Sequence, residues 1–244
     1  MQNYDKATYG ADWAADYDQL FPDVAEGMID RLEELAAGGR VLELAIGTGR
    51  VALPLAERGV SLTGIDISSE MVARLREKPG GETISVAMGD FADVDVEGKF
   101  SLVYVVANTI FVLLEDGEQV RCFANAAKHL EPEGRFVIEA FVPDLGRFDR
   151  NQRVEVSQIN LDSVVIEASR HDLASQLVNT QVMEFTNRGV KLRPVSVRYS
   201  WPSEHDLMAQ LAGMTLEQRW GGWLKEPYTN DSLRHVSVYK VPAA

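Results

Sequence analysis

Val41-Leu42-Glu43-Leu44-Ala45-Ile46-Gly47-Thr48-Gly49-Arg50 decides how this chain reads. A short apolar run ends in a loop with two glycines, and helical spacing follows from about Arg50 to Arg58. Strand, glycine loop and helix come in that order. Gly47 and Gly49 tolerate backbone angles that other residues avoid, and they let a ligand approach the main chain closely. Asp66 closes the next apolar run, in Gly64-Ile65-Asp66-Ile67-Ser68, 19 residues beyond Gly47. In nucleotide-binding βαβ units a carboxylate about 20 residues past the loop takes ribose hydroxyls. A nucleoside ligand is the first expectation.

On either side the pattern repeats. The spacing predicts a helix over 24–37, stopped by Gly38-Gly39, and strands over 41–45 and 60–66. Ser68-Ser69-Glu70 caps a helix to about Lys78, and strands follow over 83–88 and 100–106. Asp116 is placed to cap a helix through Leu130, Glu131-Pro132-Glu133-Gly134 reads as a turn, and 136–142 reads as a fifth strand. Strands apolar on both faces and alternating with helices imply an α/β fold with a mostly parallel sheet covered on both sides. After Pro143 apolar and polar residues alternate at Val154/Val156, Val164/Ile166, Val178/Thr180/Val182 and Val195/Val197/Tyr199. That predicts an antiparallel β flap over about 145–200 with one solvated face, inserted after the fifth strand. Ser203-Glu204-His205-Asp206 opens a short helix that Gly213 stops. Two last strands near 215–220 and 233–241 bring the main sheet to seven. The expected organisation is one domain over 1–244.

Composition narrows the function. The 24 basic and 37 acidic residues leave a net charge of −13, which disfavours nucleic-acid and anionic-membrane partners. The uncharged central stretch from Phe100 to Leu114 is 15 residues, short of the roughly 20 that span a bilayer. With one cysteine, Cys122, the chain can form no internal disulfide, which fits a reducing, cytoplasmic setting. No metal-ligand spacing and no nucleophile elbow is present.

A dinucleotide loop calls for G-x-G-x-x-G, and this one reads A-x-G-x-G with Glu43 two residues ahead. A carboxylate there suits an ammonium and opposes a pyrophosphate. S-adenosylmethionine (SAM) carries an ammonium and a sulfonium and no phosphate, so electrostatics favour it over a nicotinamide dinucleotide. Residues 43–50 resemble the first motif of the class I SAM-dependent methyltransferases, with Ala45 in place of that motif's first glycine. The resemblance implies a Rossmann-like fold. It also implies contacts to the cofactor from Glu43, Ala45, Gly47, Thr48, Gly49 and Arg50. Gly64–Met71 is similar to the second motif, which implies that Asp66 holds the ribose while Ile67 and Met71 line the adenine. Met88-Gly89-Asp90-Phe91 resembles the adenine-edge motif, with Asp90 at the exocyclic amine and Phe91 at the ring. Val105–Phe111 resembles the fourth-strand exit, where Ala107 and Asn108 meet the cofactor. Tyr9-Gly10-Ala11-Asp12-Trp13-Ala14-Ala15-Asp16-Tyr17-Asp18 resembles a helix that covers the methionine end. Tyr9, Trp13 and Tyr17 would lie on one face of it.

By that resemblance the reaction is methyl transfer to an oxygen or nitrogen of a small-molecule acceptor, leaving S-adenosylhomocysteine. Asn108, Phe111, Phe141 and Trp223 are expected to shape the acceptor site. His171, at the end of a flap strand, is the candidate general base. His129 and His235 read as structural and His205 as solvated. Two alternatives stand beside this reading. One is an NAD(P)-dependent oxidoreductase or sugar-nucleotide epimerase, and the other is a non-catalytic SAM-binding module.

Overall fold

The computed structural model describes Met1 and residues 4–243. The parallel strands are β1 (Val41–Leu44), β2 (Leu62–Asp66), β3 (Ser85–Met88), β4 (Phe100–Val105) and β5 (Leu130–Phe141). The flap strands are β6 (Gln152–Ile159), β7 (Ser163–Asp172), β8 (Leu177–Thr186) and β9 (Gly189–Arg198), and β10 (Thr215–Trp220) and β11 (Arg234–Lys240) return to the main sheet. The helices are α1 (Thr8–Trp13), α2 (Tyr17–Leu20), α3 (Met28–Ala36), α4 (Ala52–Glu57), α5 (Ser69–Arg76), α6 (Glu118–His129) and α7 (Pro202–Leu211). The seven-stranded sheet runs β10-β11-β5-β4-β1-β2-β3. Strands β1 to β5 are parallel, while β11 is antiparallel to both β5 and β10. This is the Rossmann-like seven-stranded sheet that the motifs implied.

Successive residues of one strand serve opposite layers. Leu42, Val103, Phe136 and Tyr239 pack in one cluster with Phe111 and Phe123, and Val41, Leu102, Val137 and Val238 pack in the other against Leu32 of α3. Both faces are therefore apolar, which is why these strands read as unbroken hydrophobic runs. All the loops from a strand's carboxyl end into the next helix open on one edge, where open α/β sheets bind ligands. Among the described residues no helix is long and apolar enough to cross a membrane.

Several boundaries depart from the sequence reading. Helix α6 is preceded by Gly117 at φ +79°, so Asp116 does not cap it. Residues 131–134 continue as strand β5, with Glu133 accommodated at φ +67°. The aromatic N-terminal stretch is two short helices broken at Ala14–Asp16, so Tyr17 does not share a helix with Tyr9 and Trp13. Helix α7 begins at Pro202, and Glu204 accepts a hydrogen bond from the Trp201 N–H at 2.6 Å.

The flap is a four-stranded antiparallel sheet in the order β6-β7-β8-β9. Its register defines rows across the strands. On one face they read Ile159-Val164-Phe185-Val190, then Val156-Ile166-Met183-Leu192, then Val154-Ala168-Gln181-Pro194. On the other face they read Gln158-Val165-Glu184-Lys191, then Glu155-Glu167-Val182-Arg193, then Arg153-Ser169-Thr180-Val195. The second face points inward: Val182 and Val195 pack on Trp13 and Met71, and Val178 and Val197 pack on the main core. The solvated side that the alternation predicted is thus the apolar one.

Candidate functional site

At the end of β1 the chain turns through three left-handed residues, Ala45 at φ +59°, Gly47 at +57° and Gly49 at +80°. Ala45 holds a conformation that costs an L-residue roughly 1–2 kcal/mol. The two glycines differ in what surrounds them. A Cβ on Gly49 would fall 2.4 Å from Leu75 Cδ1, so that glycine serves the packing of α5. A Cβ on Gly47 would meet nothing within 4 Å. The loop is tied to Asp66, whose Oδ2 accepts from the Gly47 N–H at 2.6 Å and whose Oδ1 accepts from the Ser68 N–H at 2.8 Å. Burial raises the Asp66 pKa against those two amides. Each oxygen keeps a further lone pair for another donor.

Glu43 is buried at the end of β1, and its Oε2 has no partner among the described residues. Desolvation pushes its pKa up to about 8, opposed by the Tyr104 hydroxyl and the Arg50 guanidinium and helped by Asp66. Tyr104 faces Glu43 across the β1–β4 pair, while Arg50 Nε, and Trp13 Nε1 on α1, are buried without a partner among the described residues. Arg50 donates through Nη1 to the Asp23 carbonyl at 2.7 Å. Such unpaired groups cost about 1–3 kcal/mol each, so Glu43 Oε2 and Arg50 Nε, both on the segment that forms the loop, point to a polar, charged ligand.

Helices α1 and α2 close over this region. Gly10 abuts Ser68, where a Cβ would fall 2.2 Å from its Oγ. Tyr9 stacks on Trp13 at 5.4 Å, and Tyr17 meets Phe21 at 5.1 Å. Thr48 Oγ1 donates to Asp18 at 2.7 Å, and Lys78 bonds both Asp18 and the Thr48 carbonyl at 2.8 Å. At the β2–β3 end Met71 is buried beside Trp13, while Ile67 and Met88 leave 41% and 50% of their surface open. Asp90 accepts from the Ala92 N–H at 2.9 Å and pairs with Lys6, which also pairs with Glu118. Phe91 is packed into the main core. Sequence reasoning missed Lys6, Asp18, Lys78 and Met88. It also missed Tyr104, whose one signal was a hydroxyl in an otherwise apolar strand.

Beyond β4, Ala107 and Asn108 are both left-handed, at φ +56° and +65°. Glu139 holds this bend by accepting from the Ala107 N–H at 2.9 Å, and Asn108 Oδ1 accepts from the Phe141 N–H at 2.7 Å. Backbone strain of this kind gathers at ligand sites. Phe141 stands partly open beside Asn108, whereas Phe111 is fully buried beneath it, with ring centroids 4.6 Å apart. Phe111 therefore supports the wall instead of forming its surface. Trp223 lies in the opposite layer, buried in the cluster that holds α3 and Trp220, and does not join Asn108 and Phe141. His171 sits on the flap's inner face, buried between Phe148 and Tyr199, with Nε2 at 2.9 Å from the Tyr199 hydroxyl. His205, expected in solvent, is wholly buried, bonded to Ser200 at 2.7 Å and stacked near Phe111. His129 and His235 are buried and hydrogen-bonded.

Residues 41–134 match a family model described as a methyltransferase domain. The chain is 27% identical over 204 residues to a cypemycin N-terminal methyltransferase of a Streptomyces species, covering 82% of each. It is 35% identical to the CcbJ methyltransferase of Streptomyces caelestis, with a TM-score of 0.91 over 98% of this chain and 100% of that one. The fold also matches, at 19% identity and a TM-score of 0.64, SAM-bound CalS10, an amino pentose methyltransferase of Micromonospora echinaspora. The match covers 98% of this chain and 92% of that one. With a full-length relative at that identity and the glycine loop, Asp66 and seven-stranded sheet in place, this chain belongs to the class I SAM-dependent methyltransferases.

Proposed function

We propose that this methyltransferase acts on a small-molecule acceptor through an oxygen or nitrogen, and that an amine nitrogen is the favoured atom. The observation that carries the site assignment is the buried, unpartnered Glu43 carboxyl beside the open side of Gly47. These residues fit SAM. Glu43 would meet its ammonium, and Arg50 Nε and Trp13 Nε1 would donate to its carboxylate. Asp66 would take ribose hydroxyls on its remaining lone pairs. Ile67, Met71 and Met88 would cover the adenine, with Asp90 at its exocyclic amine.

When bound, SAM supplies a methyl group already activated on a sulfonium, so the chain's task is mainly placement. Holding a nucleophile close and in line can supply ~7–11 kcal/mol. Asn108, fixed by Phe141 and by the Glu139-anchored bend, is the polar group at the acceptor wall. The inner face of the flap, with Ser169 and Thr180, forms the roof. An amine must arrive without its proton to attack. SAM would supply the methyl carbon and keep its sulfur as the leaving group, and the His171–Tyr199 pair, or solvent, would take any proton the methylated nitrogen still carries. The acceptor class is supported by the relatives, one named as a cypemycin N-terminal methyltransferase and one as an amino pentose methyltransferase.

The test has two arms. Calorimetry with SAM and with NADH should show binding of SAM alone; binding of NADH alone refutes the assignment. Transfer of a labelled methyl group to a panel of primary and secondary amines, against matched alcohols, then reads the acceptor atom. SAM binding with no transfer to any acceptor would favour the non-catalytic alternative.

A further inference from the structure

The flap reverses ordinary amphipathicity. Its first two outward rows are apolar at all eight positions, and the third is uncharged, whereas the three inward rows carry Glu184, Lys191, Glu155, Glu167, Arg193 and Arg153. The inward charges are employed: Arg193 bonds Glu184 and Asp16, and Lys191 bonds Asp16. The outward apolar groups are open to water on the outer strands, while Val164, Ile166 and Met183 in the middle strands are half-buried. Ile159 is 76% exposed, Leu192 57% and Val156 53%, and Leu161 at the adjoining turn is fully exposed. Sheets bury their apolar face, and a contiguous exposed patch of several hundred Å² marks an interaction surface.

We infer that this face is covered by the same face of a second copy, forming a two-fold dimer through sheet-on-sheet packing. Three observations select a second copy. First, with strands ~4.8 Å apart and rows ~6.6 Å apart, the three rows present ~400 Å² of flat surface per copy. Two such faces bury ~800 Å², less than the ~1,000 Å² of a strong specific interface, which sets a weak, concentration-dependent dimer. Second, the chain carries a net charge of −13, so like copies repel through most of their surface, whereas these three rows hold no charge and the row beyond them adds only cations, Arg170 and the Met1 ammonium bonded to Asn179. Third, two identical twisted sheets have matching curvature and pack at about −30°, and a self-complementary contact closes at two subunits. The dimer would clamp the flap from outside while its inner face roofs the acceptor site.

Sedimentation of the full chain from about 0.1 to 50 µM reads this directly. The expected result is twice the chain mass at the upper end. Leu192→Glu and, separately, Val156→Arg should each raise the dimer dissociation constant at least tenfold, with unchanged far-ultraviolet circular dichroism. Leu207→Glu, an equally exposed apolar position on α7, should leave the dimer intact. A chain monomeric throughout the range overturns the inference, as does a dimer that both flap variants leave unaltered. A monomer that instead co-sediments with phosphatidylcholine vesicles would assign the face to a bilayer and likewise overturn it.

Discussion

The glycine loop and the flap depart from the usual burial rule in opposite directions. At the loop one oxygen of the Glu43 carboxyl and the Arg50 Nε–H are buried without partners among the described residues. On the flap, valines, leucines and isoleucines stand in water while their charged neighbours turn inward. Each anomaly disappears once a missing companion is supplied. At the loop it is a small zwitterionic cation, and at the flap an apolar protein face. A carboxyl oxygen buried alone beside an open glycine loop points to a ligand, and an apolar sheet face left bare points to a macromolecule. The two ought to respond independently, since the loop belongs to the parallel sheet and the bare rows to the other side of the flap.

The largest expected effect is at Asp66. Asp66→Ala removes the acceptor of the Gly47 and Ser68 amides and, with it, the proposed ribose anchor. SAM affinity should fall at least ~100-fold with the chain still folded, read by calorimetry and circular dichroism. An unchanged affinity would sever the loop from the cofactor. Glu43→Gln comes next, with an expected loss of ~10–100-fold as a charge-assisted bond is lost. The carboxyl of the free protein titrates near 8, so near pH 7 it is protonated, and pairing with an ammonium must release that proton. Binding enthalpies measured at pH 7 should therefore vary with the ionisation heat of the buffer in the wild type and not in Glu43→Gln. The same shift fixes the sign for stability. Its contribution is complete below about pH 4.5 and is lost as pH rises through about 8, because the folded state holds the proton more tightly than the unfolded chain.

The two loop glycines separate packing from ligand contact. Gly49→Ala drives a methyl into Leu75 and should lower the melting temperature by several degrees, on the order of 1–3 kcal/mol. Gly47→Ala adds its methyl to open space, so it should cost stability only ~1 kcal/mol of backbone strain while weakening SAM binding. Equal effects on both readouts would erase the distinction. The smallest change is a gain. Ala45→Gly relieves a left-handed alanine and should raise the melting temperature by about 2–4 °C, corresponding to ~1 kcal/mol in a chain of this size.

The sequence already displayed which residues stand at the carboxyl ends of successive strands: Glu43 and Gly47 at the end of β1, Asp66 at the end of β2, Asp90 after β3 and Asn108 after β4. Local signals suffice there, because buried parallel strands are continuous apolar runs and the turns between them require glycine or an acidic group. Ser68 likewise caps α5 as read, its side chain accepting from the Met71 N–H at 3.1 Å. The limits of such reading show at His205. Its place in a first helical turn suggested solvent, and only the packing of α7 against Phe111 and Phe123 buries it. Trp223 shows the same limit, since nothing local says which side of a sheet a loop tryptophan will join.

The sequence by itself determined the sheet, the glycine loop and the carboxylates that face it, because these follow from periodicity of two and of 3.6 and from backbone angles that few residues adopt. The tertiary structure alone decided which face of the flap turns inward, that Lys6 reaches Asp90, and that Glu43 Oε2 is left without a partner among the described residues. Alternation specifies that a strand has two different faces, but not which face meets the core. That choice is made by contacts between residues more than a hundred positions apart, such as Asp16 with Arg193.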